Sequence, residues 1–97
     1  MKSELAGLLK CAGYPFNELL VGDDMGKDWV QIDNKQYVAP SLSELIEACG
    51  PGRFVLDRLE SGFWEAGHQN AHPMIHKGNT PEEAVARVWM AINKNAV

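Results

Sequence analysis

The sequence predicts an α+β fold: a small antiparallel sheet of about three strands with helices packed on one face, in the order α-β-β-β-α, preceded by an N-terminal helix and a short hairpin. Three observations lead there. Two helix starts carry paired capping residues, Ser41-Leu42-Ser43-Glu44 and Thr80-Pro81-Glu82-Glu83. Between them lie short runs with two-residue alternation, separated by turn residues. The length of 97 residues suits one hydrophobic core better than two. We therefore expect a single domain over 1–97, with 1–40 as a helix-plus-hairpin extension and 41–95 as the α-β-β-β-α core.

Ser3 can cap a first helix running to about Ala12, with Leu5, Leu8, Leu9 and Ala12 on one face. Gly13 and Tyr14-Pro15 end it. The segment "PFNELLVGDDMGK" is ambiguous between a helical turn and an extended piece, with 22–26 as a loop. Asp23 and Asp24 resemble the start of a calcium loop. The rest of that pattern is missing, so a solvated turn is the expectation. In "DWVQIDNKQYVAP", Trp29, Val30, Ile32, Tyr37 and Val38 have strand character, and Asp33-Asn34-Lys35 supplies the turn of a hairpin.

Ser41 and Glu44 form a capping box, in which each side chain satisfies the other residue's backbone N–H. The helix over 42–49 presents Leu42, Leu45, Ile46 and Cys49 to the core and stops at Gly50-Pro51-Gly52. Strands are expected at 54–59 and 63–68, joined by Glu60-Ser61-Gly62. Trp64, Ala66 and His68 fall on one face and Phe63 and Glu65 on the other. Met74-Ile75-His76 adds a short third strand. The last helix has Thr80 as N-cap, Pro81 as its first residue and Glu83 closing a second capping box. Val85, Val88, Trp89 and Ile92 form its apolar stripe, flanked by Ala84 and Ala91. Glu83 and Arg87 make an i,i+4 pair opposite.

Composition narrows the function classes. With 45% hydrophobic and 23% charged residues, the chain is not a disordered one. No apolar run reaches the roughly 18 to 20 residues of a membrane span. The start lacks the apolar segment of a secretory signal, so a cytoplasmic location is expected. A net charge of -4 and scattered basic residues weigh against nucleic acid as the main partner. The two cysteines, Cys11 and Cys49, are expected as buried thiols; neither belongs to a CxxC pattern.

Sites for chemistry are sparse. His68, His72 and His76 recur every four residues, a metal-ligand spacing on a continuous helix. Gly67, Pro73 and Gly78 argue against that helix, so solvated or structural histidines are expected and no metal is assigned. There is no G-x-S-x-G elbow, no phosphate-cradling glycine loop and no cofactor motif. Ser41 and Ser43 are explained by helix capping. Asp23-Asp24 and Glu82-Glu83 are explained as solvated carboxylates. Three tryptophans in so small a chain are expected chiefly in the core. Trp64 becomes a protein-contact residue if its sheet face is uncovered. Glu83, Arg87 and Met90 share the outer face of the last helix and complete the candidate contact set.

Two resemblances add to this. "PSLSELIEACG", a Trp-containing hairpin and "GNTPEEAVARVWMAINK" resemble small uncharacterised open reading frames of phages, prophages and other mobile elements, over about residues 40–94. That resemblance implies a mobile-element origin and no assigned activity. "RFVLDRLESGFWEAG…GNTPEEAVARV" is similar to the hairpin-then-helix of HicB-type antitoxin domains and to the helix, three strands, helix order of double-stranded-RNA-binding-like folds. The chain departs from both: no Pro-Asp-Leu-Pro-Gly-like segment precedes the helix, and the helix opens with Glu82-Glu83 where lysines would meet phosphate.

The expectation is a non-enzymatic, phage- or prophage-type protein acting by protein–protein contact, in one version by inhibiting a host factor. Its acidity suits a basic partner surface. It needs no cofactor and no membrane, and it leaves room for a homodimer. The alternative is an antitoxin-like or nucleic-acid-binding regulator. A histidine-dependent hydrolase or metalloenzyme is the third and weakest class.

Overall fold

A computed structural model describes residues 3–19 and 28–94. Among these residues there are three helices, one two-stranded antiparallel sheet and one three-stranded antiparallel sheet, an α+β fold. The chain divides into two compact units, Met1–Pro40 and Ser41–Val97.

In the first unit, α1 spans Ser3–Cys11 and packs against β1, Trp29–Ile32. Its buried line is Ala6 and Leu9, with Leu5 half-buried. Leu8 is 59% exposed and Ala12 is exposed, so the expected face through Leu8 and Ala12 is corrected. Two overlapping apolar lines run along this helix, and its seat on β1 selects the one through the small Ala6. The helix closes in a Schellman motif. Gly13, at φ 97°, donates to the Lys10 carbonyl, and the Tyr14 N–H reaches the Leu9 carbonyl at 2.9 Å.

β1 pairs with β2, Lys35–Val38, through a two-residue turn. Asp33 and Asn34 sit at φ 51° and 69°, the left-handed pair that a tight hairpin turn requires. Lys35 thus belongs to the strand rather than the turn. Val30, Ile32 and Tyr37 join Ala6 in this unit's core, with Phe16 and Ala39 against it. Trp29 points the other way and is 51% exposed, which corrects its expected place in the core. The ambiguous segment before the hairpin is extended where described. Val38 donates to Asn17 and Leu19 to Gln36, around a bridge between Glu18 and Tyr37. The loop over 22–26, with Asp23 and Asp24, lies outside the described residues, as does the side chain of Ser3.

In the second unit, α2 spans Leu42–Ala48. Its capping box forms as the sequence predicts: the Glu44 N–H donates to Ser41 Oγ and the Ser41 N–H to Glu44 Oε1, both at 3.1 Å. Leu45 is its fully buried anchor and Cys49 is buried behind it. β3 (Phe54–Arg58), β4 (Trp64–His68) and β5 (Ile75–Gly78) form a sheet in chain order, antiparallel throughout. β5 runs later than the expected 74–76, because Lys77 and Gly78 pair with Glu65 and Trp64 of β4.

α3, Pro81–Lys94, packs against all three strands, and α2 packs against α3. Being gripped by two neighbours explains its broad buried surface. Ala84, Val85, Ala86, Val88, Trp89 and Ala91 are buried, which at 100° per residue is more than half its circumference. Ala86 lies outside the expected stripe, and Ile92 within it is only half-buried. At the N-terminus the Glu83 N–H donates to Thr80 Oγ1 at 3.1 Å. The return bond goes from the Asn79 N–H, not that of Thr80, to Glu83 Oε2 at 3.4 Å. β5 runs directly into this cap: a Cβ on Gly78 would lie 2.6 Å from the Ala84 nitrogen.

Candidate functional site

Strand alternation gives the three-stranded sheet two unlike faces. On one, Ala66 and His68 are buried and Trp64 is half-buried. On the other, the register aligns Val55, Gly67 and Ile75 in one row and Asp57, Glu65 and Lys77 in the next.

The buried face accounts for His68, which is 1% exposed. Its Nδ1 accepts the Asn70 N–H at 3.0 Å, so the ring proton sits on Nε2 and is donated to the Gly50 carbonyl at 3.3 Å. Both nitrogens are used, and the ring packs 6.4 Å from that of Phe54. His76 lies 2.8 Å through Nε2 from the Pro73 carbonyl, and His72 is exposed. The three histidines do not converge. Among the described residues no group of three or more His, Cys, Asp or Glu is placed to hold a metal ion.

Of the two thiols expected to be buried, Cys49 is and Cys11 is not. Cys49 is buried, and its S–H donates to the Leu45 carbonyl at 3.4 Å. Burial pushes this thiol up to about 11, which keeps it protonated and unreactive near neutrality. Cys11 is exposed, because α1 buries the line through Ala6 and Leu9 and turns residue 11 outward. It borders an open groove lined by Glu4, Leu8, Lys10, Ile32 and Asp33.

The candidate contact residues fall in two places. Glu83, Arg87 and Met90 follow one another up the outer strip of α3. Arg87 Nη2 reaches Glu83 Oε1 at 2.9 Å, and Met90 is half-buried beside them. Trp64 belongs instead to the buried side of the sheet and does not join that strip.

The larger contact surface is the sheet's other face. Val55, Phe63, Met74 and Ile75 are 36% to 53% exposed. Gly67 makes room for two of them: a Cβ there would lie 2.5 Å from Ile75 Cδ1 and 3.1 Å from Val55 Cγ2. Arg53, Val55, Gly67, Gln69, Met74 and Ile75 line a shallow pocket at this point. The sequence carried a signal for it. The alternation that puts Trp64, Ala66 and His68 on one face puts Phe63, Glu65 and Gly67 on the other, with Val55 opposite Gly67.

No family model, curated protein or solved structure matches the chain. Among the described residues no helix is long and apolar enough to cross a membrane.

Proposed function

We propose that the protein is non-enzymatic and works by protein–protein contact, as a small phage- or prophage-type modulator of another protein would. The observation that carries this reading is the sheet face bearing Val55, Phe63, Met74 and Ile75. Val55, Met74 and Ile75 line one shallow pocket there, and Phe63 is exposed beyond the charged row Asp57–Glu65–Lys77. Clustered exposed apolar surface of this kind marks interaction sites. The acidic net charge of -4 favours a protein partner over nucleic acid.

The test is a photo-crosslinking residue at Phe63, which is exposed and outside the core. The expected result is a discrete adduct with a polypeptide in cells expressing the chain. Absence of any adduct overturns the reading. Salt-dependent binding to generic DNA or RNA, with no polypeptide adduct, supports the antitoxin-like or nucleic-acid-binding alternative instead.

A further inference from the structure

We propose that this sheet face closes on a second copy of the same chain, in an antiparallel face-to-face dimer whose two-fold axis lies between the two sheets and runs along the row Val55–Gly67–Ile75. The inference rests on the reading of the face as a protein-contact surface and names its occupant. The observation that selects a second copy is the placement of charge around the apolar row.

Asp57 lies on this face two residues after Val55, and Arg53, just before β3 and two residues before Val55, lines the same pocket as Val55, Gly67 and Ile75. Each is thus about 6.7 Å from Val55 along the strand. Gln69 and Glu65 bracket Gly67 in the same way. A two-fold axis over the central row exchanges the two flanking rows. Arg53 of one copy then faces Asp57 of the other, twice. Gln69 faces Glu65, also twice. Val55 and Ile75 meet their own counterparts across the layer spacing of roughly 10 Å between packed sheets. This is the self-complementarity an isologous contact demands.

Within one chain Asp57 is the charge left poorly served. Glu65 has Lys77 directly across from it on β5, but Asp57, on the edge strand β3, has only the like-charged Glu65 beside it. Among the described residues no ion pair involves Arg53, Asp57, Glu65 or Lys77; the pair present is Arg87 with Glu83. A second copy brings Arg53 to the acidic row. The notch at Gly67 lets Val55 and Ile75 close over the centre and present a continuous apolar ridge. Three short strands cover less than the roughly 800 Å² per partner of a standard interface, so the association is reversible and concentration-dependent.

Sedimentation velocity over a concentration series, with the Arg53→Glu and Asp57→Arg variants, tests it. Each single variant sets like charges against each other twice and is expected to weaken dimerisation at least about tenfold. An equimolar mixture of the two restores complementarity at both contacts, as does the double variant Arg53→Glu/Asp57→Arg, and both are expected to recover the dimer. Ile75→Lys, at an exposed position, is expected to give a folded monomer by circular dichroism. A wild-type chain that stays monomeric up to millimolar concentration overturns the dimer, as does a dimer indifferent to Arg53→Glu and Ile75→Lys. A monomer whose Phe63 crosslinks to a different polypeptide overturns the dimer and leaves the protein-contact reading standing. A monomer with no adduct overturns both.

Discussion

His68 Nε2 lies 3.3 Å from the carbonyl oxygen of Gly50, so the last residue of β4 ties down the chain just beyond α2. The other ring nitrogen accepts the Asn70 N–H, which shapes the loop leaving the same strand. Replacing His68 by Ala removes a fully buried ring and leaves both backbone groups to find new partners. We predict a loss of about 3 kcal/mol in urea unfolding, from cavity formation and lost hydrogen bonds together. His72→Ala, at an exposed position, is predicted to change stability by less than about 0.5 kcal/mol.

Cys11 and Cys49 are predicted to separate in reactivity. At neutral pH a thiol reagent should modify Cys11 quickly and Cys49 only as the chain unfolds, which peptide mass mapping reads directly. Cys49 also predicts a sign for alkaline stability. Its folded value of about 11 exceeds the ordinary 9.0, so between these the unfolded chain releases the proton first. The folded state then binds more protons, and stability falls as pH rises through that window. Cys49→Ala should lack this component, so the stability gap between wild type and variant narrows from pH 9 toward pH 11.

Two glycines should respond to alanine with opposite signs. At Gly78 a Cβ would strike the Ala84 backbone nitrogen at 2.6 Å, and helix α3 cannot give way without disturbing its packing. We predict a loss of about 2 kcal/mol or more for Gly78→Ala. Gly7 is inside α1 with nothing within 4 Å of an added Cβ. Gly7→Ala should therefore stabilise by about 0.5 to 1 kcal/mol through helix propensity. Thermal melts of the two variants compare them.

The N-cap of α3 should outweigh its surface ion pair. Thr80→Ala removes the acceptor for the Glu83 N–H and is predicted to cost about 1 kcal/mol. Arg87→Ala breaks an i,i+4 pair whose Arg side chain is 52% exposed, and should cost no more than about 0.5 kcal/mol. Denaturant midpoints of both variants, repeated at high salt, should show salt dependence only in the second comparison.

Local signals carried much of the second unit. The Ser41–Glu44 box, the Thr80 cap and the alternation through Trp64, Ala66 and His68 all report short-range physics, and each appears where the residues place it. The misses are choices between local equivalents. α1 offers two apolar lines, and only contact with β1 selects Ala6 over Leu8. Trp29 and Val30 are both good strand residues, and pairing with Tyr37 decides which of them is inside. Of the candidate contact residues, Glu83 and Arg87 were legible because an i,i+4 pair opposite an apolar stripe needs nothing beyond helical geometry. The face with Val55 and Ile75 was legible only in part: alternation separates Phe63 and Glu65 from Trp64, but which of the two faces a helix covers is not written in the strand itself.

The sequence by itself determined the α+β class, the order of elements, the Ser41–Glu44 box and the Thr80 cap, and the absence of any short catalytic motif. These depend on residues a few positions apart, which periodicity and capping chemistry report directly. Tertiary structure alone decided that His68 is buried with both nitrogens engaged, that Cys11 and Cys49 have opposite fates, and that Val55, Phe63, Met74 and Ile75 are left outside. Burial is a property of what packs on top of a residue. For these side chains that partner lies far away in sequence, where no local pattern reaches.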